Sequence, residues 1–511
     1  MAMKNYKKML AMGLVALVLG ACVPTQSSPD ASTDTINIGY SQLPANIHPA
    51  EDYNGWFTVR YGVGETLFKL NNNLEVEPWL AEKIESISDL EWKITLKDNV
   101  TFQNGEKMTG EKVKQSLEHL LSKSDRAKAD LGITSISADG QTVIIKTEQR
   151  QPIMANLLAE PYSVIIDVSA EPLAKQGPVA TGPYKLTKYI AESGAELEAY
   201  EGYWAGTPKT KNLKIKYFTD ATAIAAALKS GEVDAVYGLP YANLETFKSD
   251  SGNFKTSEVE GSRYVQFSYN LEQAEGQDKQ FRQALDTLVD KETYTNSLFK
   301  GAAKVADTAF PNNFEFALGT SVHEYNVEKA VQLLDEAGYK DTNGDGLREA
   351  NGQNIKLDLV TYNRLAEMPL SVQAFQQQLK EVGIDSEIIT VDKATTAVSE
   401  NIYDVLTYTV VAAPIGDPYA YYKSVFYTNG SANIAHYSNP AVDSLIDQLQ
   451  VEPNQAKRNE LSKQIQKIVD EDYIFTYIGH FKVALVMDNN LQGFESHATD
   501  YYHVTNQIVK E

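Results

Sequence analysis

The apolar and polar positions of the chain alternate with the period of a half-buried strand in several short segments. Apolar side chains at every second position face one side of a strand, so each of these segments can cover a core on one face. The strands predicted in this way in the first third of the chain are TINIGYS at 35–41, EWKITLK at 91–97 and TVIIKT at 142–147.

Other segments carry their apolar residues at helical spacing and end in residues that stop helices. One helix starts at Thr219 or Asp220, stops at Gly231 and runs directly into a strand. The other predicted helices are GEKVKQSLEHLLSK at 110–123, NVEKAVQLLDEAGY at 326–339 and SVQAFQQQLKEVGI at 371–384, the last followed by the strand SEIITV at 386–391. Interleaved helices and strands predict an α/β fold.

The N-terminal segment has the order of a secretory signal. Three lysines precede the apolar run MLAMGLVALVL at 9–19, which is too short to cross a bilayer. We expect residues 1–21 to be removed. The run ends in LGAC, which resembles the lipobox of bacterial lipoproteins, so Cys22, the one cysteine of the chain, is the predicted lipidation site. Residues 22–35 are rich in Pro, Ser, Thr and Asp, which predicts a flexible tether.

Length and charge limit the organisation and the partners of the protein. A chain of 511 residues exceeds what one core usually organises, so at least two lobes are expected. The formal net charge is −22, and removing residues 1–21, with three lysines and no acidic residue, would make it −25. Such a surface repels nucleic acid, which we therefore exclude as a partner.

Catalytic signatures do not emerge from the sequence. It has no G-x-S-x-G, H-E-x-x-H or phosphate-binding P-loop motif, so we predict a protein that is not an enzyme. DTNGDGLRE at 341–349 matches the first half of a calcium-binding EF-hand loop, but Gly352 stands where that loop needs a glutamate. A structural turn is the preferred interpretation of this segment.

Five successive blocks resemble the extracytoplasmic solute-binding proteins of peptide and nickel ABC importers. The resemblance covers essentially the whole mature chain and implies an ABC permease as partner, a monomer, and a location on the outer face of the cell membrane. The blocks are VGETLFKLNNNLEVEPWLAEKIE, WKITLKDNVTFQNGEKMTGEKVKQSLE, ATGPYKLTKY, YWAGTPKTKNLKIKYFTDATAIAAALKSGEVDAVYG and FRQALDTLVDKETYTNSLFKGAAKVADTAFP.

This resemblance implies two α/β lobes of the periplasmic-binding-protein type that close over a ligand in the cleft between them. A hinge of two strands would join the lobes, with crossings near 260–264 and 477–481. Closure makes the docking surface for the importer dependent on ligand. The implied domains are lobe I at 36–260 plus 480–511, with an extra subdomain at about 75–170, and lobe II at 264–478.

The likeness to two branches of the family leaves the ligand open between a metal chelate and a peptide. Peptide receptors usually carry an Asp shortly before an acid-Pro pair; here Asp417 and Pro418 form the pair, but Pro414 occupies the Asp position. APIGDP is more similar to the nickel-binding branch. We therefore favour a chelate of nickel, or of a related divalent metal, as transported ligand and not as prosthetic group, with a di- or oligopeptide as the alternative.

The nickel branch commonly supplies one imidazole from a loop after this element, and His436 falls in the matching loop. A solvated histidine before the next helix is the alternative. A second imidazole from His497 or His503 is a further prediction. The other residues predicted to contact the ligand by resemblance are Tyr53, Trp56, Phe57, Arg126, Glu160 and Thr499.

Three of these assignments have alternatives. Ordinary core packing would equally explain Trp56 and Phe57, and the solvated end of a helix is the preferred interpretation of Arg126. Glu160 stands near the position of a second arginine in the nickel branch, and a carboxylate there repels a chelate that presents carboxylates. Either the chelator differs, offering an amine or forming a larger metallophore, or the ligand is a peptide whose amino group Glu160 binds.

Overall fold

A central sheet of eleven strands runs through the computed structural model, which describes residues 34–170, 177–320, 323–363 and 365–511. The predicted signal peptide, Cys22 and nearly all of the predicted tether lie outside the described residues. The strands are β1 (Thr35–Tyr40), β2 (Phe68–Leu70), β3 (Val76–Pro78), β4 (Ala81–Ser88), β5 (Glu91–Leu96), β6 (Ile133–Asp139), β7 (Thr142–Thr147), β8 (Tyr184–Ile190), β9 (Gly194–Ala199), β10 (Asn212–Tyr217), β11 (Ala235–Tyr237), β12 (Phe254–Tyr269), β13 (Ala303–Val305), β14 (Glu349–Ala350), β15 (Gln353–Asn354), β16 (Lys356–Tyr362), β17 (Asp385–Val391), β18 (Val405–Val411), β19 (Phe475–Asp488), β20 (Leu491–Gln492) and β21 (Val509–Lys510).

Helices cover both halves of this sheet, and none in the described ranges has the length and apolar character needed to cross a membrane. Short 3₁₀ and π segments lie at Pro161–Ser163 and Tyr294–Leu298. The α-helices are α1 (Asn54–Arg60), α2 (Gly110–Lys123), α3 (Asp125–Leu131), α4 (Met154–Leu157), α5 (Ala221–Lys229), α6 (Tyr241–Lys248), α7 (Ala274–Gln277), α8 (Lys279–Thr287), α9 (Lys291–Thr293), α10 (Val327–Glu336), α11 (Glu367–Glu381), α12 (Ala394–Glu400), α13 (Tyr419–Val425), α14 (Pro440–Val451) and α15 (Gln455–Glu471).

Capping side chains start three of the four predicted helices, α2, α5 and α10. Asp220 begins α5, since its carboxylate accepts hydrogen bonds from the first free backbone N–H groups, and Gly231 follows the helix with a positive φ of 73°. Helix α11 begins at Glu367, earlier than the predicted 371. Pro369 lies in its first turn, where a missing N–H breaks no helical hydrogen bond.

Two long antiparallel strands, β12 and β19, connect the two halves of the sheet. The order across it is β17-β16-β18-β12-β19-β11-β1-β10-β9-β8, with β13 paired to β19. In one half β19 also pairs with β11, and in the other β12 also pairs with β18. The β12–β19 register shifts between Glu260 and Tyr264, at the first predicted crossing. The fold is the predicted two-lobed α/β architecture, while the lobe boundaries stay a prediction.

A separate four-stranded sheet, in the order β4-β5-β7-β6, lies inside the segment predicted as an extra subdomain. Helix α2 covers it, with Val113, Leu117 and Leu120 buried. In lobe II the 341–349 segment is a turn, because Asp341 accepts hydrogen bonds from the backbone N–H groups of Gly344 and Gly346. The acidic side chain is therefore used to hold the turn.

A charged cluster is buried in lobe II. The ring of His323 lies between the carboxylates of Asp286 and Asp470, bonded to one through each nitrogen, and the three side chains are at most 2% exposed. Burial alone would lower the pKa of His323, but the two carboxylates raise it to about 9. The imidazolium form therefore holds the two acids together in the core.

This cluster predicts a loss of stability in alkaline solution. The folded-state pKa of His323, about 9, lies above the ordinary value of 6.5, so its contribution is complete below pH 6.5 and is lost as pH rises through 9. We expect the free energy of unfolding to fall by roughly 2.5 kcal/mol between about pH 7 and about pH 9.5. Urea unfolding across this range measures it. His323→Gln should remove the slope; a parent protein equally stable at both ends of the range would contradict the assignment.

Candidate functional site

A cavity of about 1210 Å³ lies between the two lobes. Lobe I contributes α1, α3 and the segment around Glu160, and lobe II contributes β18, α13 and the loop after it. Arg263 enters from β12, next to the register shift. The residues used below that line the cavity are Tyr53, Trp56, Phe57, Arg126, Glu160, Tyr162, Arg263, Tyr408, Val410, Pro414, Ile415 and the segment 429–431.

Aromatic side chains form the lobe I wall. Tyr53, Trp56 and Phe57 are spaced so that they share one side of the turn that opens α1. The rings of Tyr53 and Trp56 lie 4.8 Å apart, and Trp56 also packs on Tyr501 at 5.7 Å. The resemblance predicts that all three residues contact the ligand, and the structure brings them together in the cavity lining.

Arg126 is held among these rings. Its guanidinium lies over the rings of Tyr53 and Tyr162, at 4.7 and 4.8 Å from their centroids, which gives cation–π contact on two sides. Its Nη2 donates a hydrogen bond of 3.1 Å to Glu160. Arg126 sits in the first turn of α3, which Ser124 caps, so the helix fixes its direction. It lines the cavity from the first turn of the helix, with 36% of its side chain exposed, so its predicted ligand contact stays a prediction.

Glu160 lies behind this arginine and is 3% exposed. Its Oε1 accepts hydrogen bonds from Arg126 and from the indole N–H of Trp56, both at 3.1 Å. Burial raises the pKa of Glu160, and the charge of Arg126 acts in the opposite direction. The carboxyl group that the sequence placed near the ligand is thus tied into the lobe I wall.

The hinge and lobe II supply the facing wall. Arg263 lines the cavity and has no hydrogen bond or ion pair from its side chain within the described part of the chain, so its charge is available to a ligand. Val411, its cross-strand partner on β18, lines the cavity too. Sequence reasoning missed Arg263, although it stands inside the predicted hinge crossing, where a charged residue on a central strand is a signal for a site.

The segment between β18 and α13 contains one residue that lines the cavity and one that has a structural role. Pro414, at the position where peptide receptors carry an aspartate, lines the cavity. Asp417 is instead buried in an ion pair with Arg458, whose Nη2 lies 2.7 Å from each carboxylate oxygen. The buried ion pair of Asp417 and Arg458 therefore stabilises the loop from its core side.

The lobes touch each other beside the cavity. Asn156 of lobe I donates a side-chain hydrogen bond of 3.0 Å to the backbone carbonyl of Ile415 in lobe II. Gly416 follows with φ of 71°, and a Cβ there would lie 2.2 Å from the carbonyl oxygen of Leu74. Close approach of the two backbones at Gly416 defines this closed arrangement.

Gly416→Ala is accordingly expected to open the lobes. The added methyl group collides with Leu74 across the cleft only when the lobes are closed, so the open form gains population. Small-angle scattering should show a larger radius of gyration than the parent. Gly352→Ala is the matched control, since Gly352 also has positive φ, 76°, but open space around its Cβ position. An unchanged radius in Gly416→Ala would contradict the closure contact.

His436 lies outside this cavity. It lines a neighbouring pocket of about 470 Å³ together with Glu272, whose carboxylate is 3.6 Å from the ring Nδ1. Its backbone φ of 55° and stacking on Tyr403 turn the ring toward this pocket. The segment 429–431 lines both spaces and separates them. A ligand role for His436 in the cleft stays a prediction, and it requires that segment to move.

The predicted residues near the C-terminus lie behind the cleft wall. His503 is fully buried between Tyr40 and Tyr237, and burial lowers its pKa to about 3. His497 is bonded through Nδ1 to the Thr499 hydroxyl at 2.8 Å, and burial lowers its pKa to about 4. The structure brings none of His497, Thr499 and His503 into the cavity lining, so it gives no support to their predicted contacts.

Comparison with known proteins places this architecture in a family. The profile of the bacterial extracellular solute-binding proteins, family 5, matches residues 75–433. The nickel-binding protein NikA of Staphylococcus aureus is 28% identical over 96% of both chains. The oligopeptide-binding protein AppA of Bacillus subtilis is 24% identical over 96% of both chains.

Solved structures agree with the sequence comparison. The nickel ABC transporter protein from Bacillus halodurans superposes with a TM-score of 0.84 at 31% identity, over 93% of this chain and all of that one. The S. aureus NikA structure, in complex with Ni(L-His)₂, gives 0.77 at 28% identity over 94% of this chain. The chain therefore belongs to family 5 of the bacterial extracellular solute-binding proteins, the family that its sequence resembles.

Proposed function

We propose that this protein binds a chelate of nickel, or of a related divalent metal, outside the cytoplasm and delivers it to the membrane subunits of an ABC importer. The observation that carries the proposal is the pairing of two arginines with aromatic walls in the interlobe cavity. Arg126 and Arg263 present guanidinium groups that match carboxylates, and Tyr53 and Trp56 present faces for the apolar parts of a chelator.

The metal is cargo in this proposal. The described cavity lining contains no histidine or cysteine, so the coordinating nitrogen and oxygen atoms come mainly from the chelator. The protein recognises the outside of the complex, through carboxylates and rings. The similarity to a relative whose structure holds Ni(L-His)₂ supports an amino-acid chelator as the first ligand to test.

Closure of the lobes links binding to delivery. Ligand in the cleft contacts the lobe I wall and Arg263 together, so it stabilises the closed form, which presents the importer with a distinct surface. We propose a monomer held at the outer face of the membrane by lipid on Cys22, with residues 22–35 as tether. Mass spectrometry of the protein from membranes should find diacylglycerol on Cys22, and an unmodified N-terminus would contradict it.

Calorimetry tests the proposed ligand. The untagged mature protein carrying Cys22→Ser, which cannot be acylated on sulfur, is titrated with Ni²⁺, with Ni²⁺ plus free L-histidine, and with a mixed peptide pool. We expect tight binding of the nickel–histidine mixture and weak binding of Ni²⁺ alone. His436→Ala tests the separate histidine prediction, which requires a loss of about 1.4 kcal/mol or more, tenfold in affinity. Heat from the peptides alone would contradict the nickel proposal.

A short peptide is the second candidate, favoured by the edge of β18. Among the described residues, the register of this strand with β16 covers Val405 and Leu406, and Thr409, Val410 and Val411, which line the cavity, lie on the edge beyond that pairing. An extended peptide can add to such an edge by backbone hydrogen bonds. Binding of peptides in the same titration, unaffected by nickel, would support this alternative.

A further inference from the structure

Two histidines of lobe I meet outside the interlobe cavity. His48 lies in the segment before α1, and His119 lies in α2, the helix that covers the four-stranded sheet of the extra subdomain. Their Nε2 atoms are 3.3 Å apart, and their ring centres are 5.3 Å apart. His48 is 8% exposed and His119 is half-buried, so the pair lies close to the surface of lobe I. Neither histidine lines the cavity.

These distances match those of two imidazoles on one tetrahedral metal ion. With Zn–N bonds of about 2.05 Å, such imidazoles have nitrogens about 3.3 Å apart and ring centres about 5.2 Å apart. Square-planar and octahedral ions hold neighbouring ligands at right angles, which would bring the nitrogens to about 3.0 Å and the ring centres to about 4.6 Å. The histidine pair therefore already has the spacing that tetrahedral coordination requires.

A hydrogen bond joins the two rings. The backbone N–H of Ala50 donates to Nδ1 of His48 at 3.3 Å, so His48 carries its proton on Nε2 and donates it to Nε2 of His119. A metal ion that binds both Nε2 atoms displaces this proton to Nδ1 of His48. The two hydrogen bonds given up are long, and two metal–nitrogen bonds replace them.

The surroundings of the pair permit a bound cation. Burial lowers the pKa of both rings, so at pH 7 they are neutral, which is the form of imidazole that binds metals. Glu51 and Lys123 act on both rings with opposite charges, so their effects on a cation largely cancel. No three side chains suited to one metal ion lie together in the described ranges, so water completes the coordination.

We propose that His48 and His119 bind one divalent transition-metal ion through their Nε2 atoms, with Zn²⁺ preferred over Ni²⁺. The tetrahedral spacing favours Zn²⁺, whereas Ni²⁺ with nitrogen ligands favours square-planar geometry. The site is separate from the cleft and does not depend on the proposed function. The bound ion joins the segment that leads into α1, the helix of the aromatic wall, to α2 of the extra subdomain.

Calorimetry with Zn²⁺ alone tests the site. The untagged mature Cys22→Ser protein, which lacks the one thiol of the chain, is stripped with EDTA, desalted and titrated. We expect one zinc ion per chain, bound at least tenfold more tightly than Ni²⁺. His48→Gln and His119→Ala should each weaken zinc binding at least tenfold, because each removes one of the two ligands. Unchanged zinc affinity in either variant, or Ni²⁺ bound as tightly as Zn²⁺, would overturn the proposal.

Cobalt absorption tests the coordination geometry. Co²⁺ can replace Zn²⁺ at nitrogen ligands, and its tetrahedral complexes absorb visible light far more strongly than its octahedral complexes. We expect the parent protein to give a strong visible band with Co²⁺, and one equivalent of Zn²⁺ should abolish it. The band should be missing from His119→Ala. Weak absorption of the octahedral kind in the parent would overturn the tetrahedral site.

Two further measurements separate metal binding from folding and from the cleft. In EDTA, His119→Ala should have nearly the thermal midpoint of the parent, whereas saturating Zn²⁺ should raise the midpoint of the parent alone. His119→Ala should also keep the parent's affinity for the nickel–histidine complex, since His119 lies outside the cavity lining. Zinc binding that is lost in His436→Ala and persists in His119→Ala would place the ion beside Glu272 and overturn the proposal.

Discussion

Replacing His323 with alanine is expected to lower the free energy of unfolding by about 3–5 kcal/mol. The change leaves the carboxylates of Asp286 and Asp470 in the core of lobe II without the imidazolium that joins them. Lys291, also buried nearby, and the hydroxyl of Thr476, which donates to Asp286, compensate only part of that charge. Urea unfolding at pH 7, followed by far-UV circular dichroism, measures the loss.

Two further variants make this prediction specific. His119→Ala removes a half-buried histidine of α2, whose ring contacts His48 and is not bonded to a carboxylate among the described residues. It should cost less than about 1 kcal/mol. Adding Asp286→Asn and Asp470→Asn to His323→Ala removes the uncompensated charges and should recover part of the stability. A loss in His323→Ala as small as that in His119→Ala would show that the cluster is not held by the imidazolium.

Trp56→Ala is expected to weaken binding of the nickel–histidine complex by about 2–4 kcal/mol, which is about 30-fold to 1000-fold in affinity. The indole forms much of the lobe I wall, between Tyr53 and Tyr501, and its N–H orients Glu160. Its removal takes away the surface on which the chelator rests and leaves Glu160 with one hydrogen bond fewer. The same calorimetric titration as for the parent protein gives the value.

Trp56→Phe separates the two contributions. It keeps an aromatic face but loses the N–H, so we expect a smaller loss of affinity than in Trp56→Ala. Trp92→Phe is the control, because Trp92 lies in β5 of the extra subdomain and does not line the cavity. Parent-like affinity in Trp56→Ala would place the chelate elsewhere in the molecule.

Regular secondary structure followed from local patterns, because local chemistry determines it. Helix α2 occupies the predicted residues 110–123, with Thr109 accepting the capping hydrogen bond, and the alternating segments became β1, β5 and β7. The start of α11 was four residues off, because Ala366 precedes it and no side chain caps the helix. Interleaved helix and strand periodicities predicted the α/β class, and the five long blocks of resemblance predicted the two-lobed architecture.

The site was predictable where neighbouring residues carry it. Tyr53, Trp56 and Phe57 share one local turn, and Arg126 follows a helix cap. The resemblance of these short segments was therefore enough to predict residues that line the cavity. Glu160 was singled out in the sequence as a departure from the nickel branch. Its bond to Arg126 spans 34 residues and could not be seen in the sequence.

The histidines show what sequence could not supply. His436 falls in the expected loop, but the left-handed backbone at that residue and the ring of Tyr403 direct its side chain to the neighbouring pocket. His503 follows a polar segment, yet the strands of lobe I enclose it completely. Such orientations depend on tertiary packing between distant segments.

Anomalous diffraction at the nickel absorption edge, from crystals grown with Ni²⁺ and L-histidine, tests the central claim most directly. The account predicts one strong peak inside the interlobe cavity, with the chelator between the wall of Trp56 and Glu160 and the guanidinium of Arg263. A peak in that place with His436 bonded to it would also confirm the histidine prediction. A cavity without nickel, or a peak only in the pocket beside Glu272, would contradict the account.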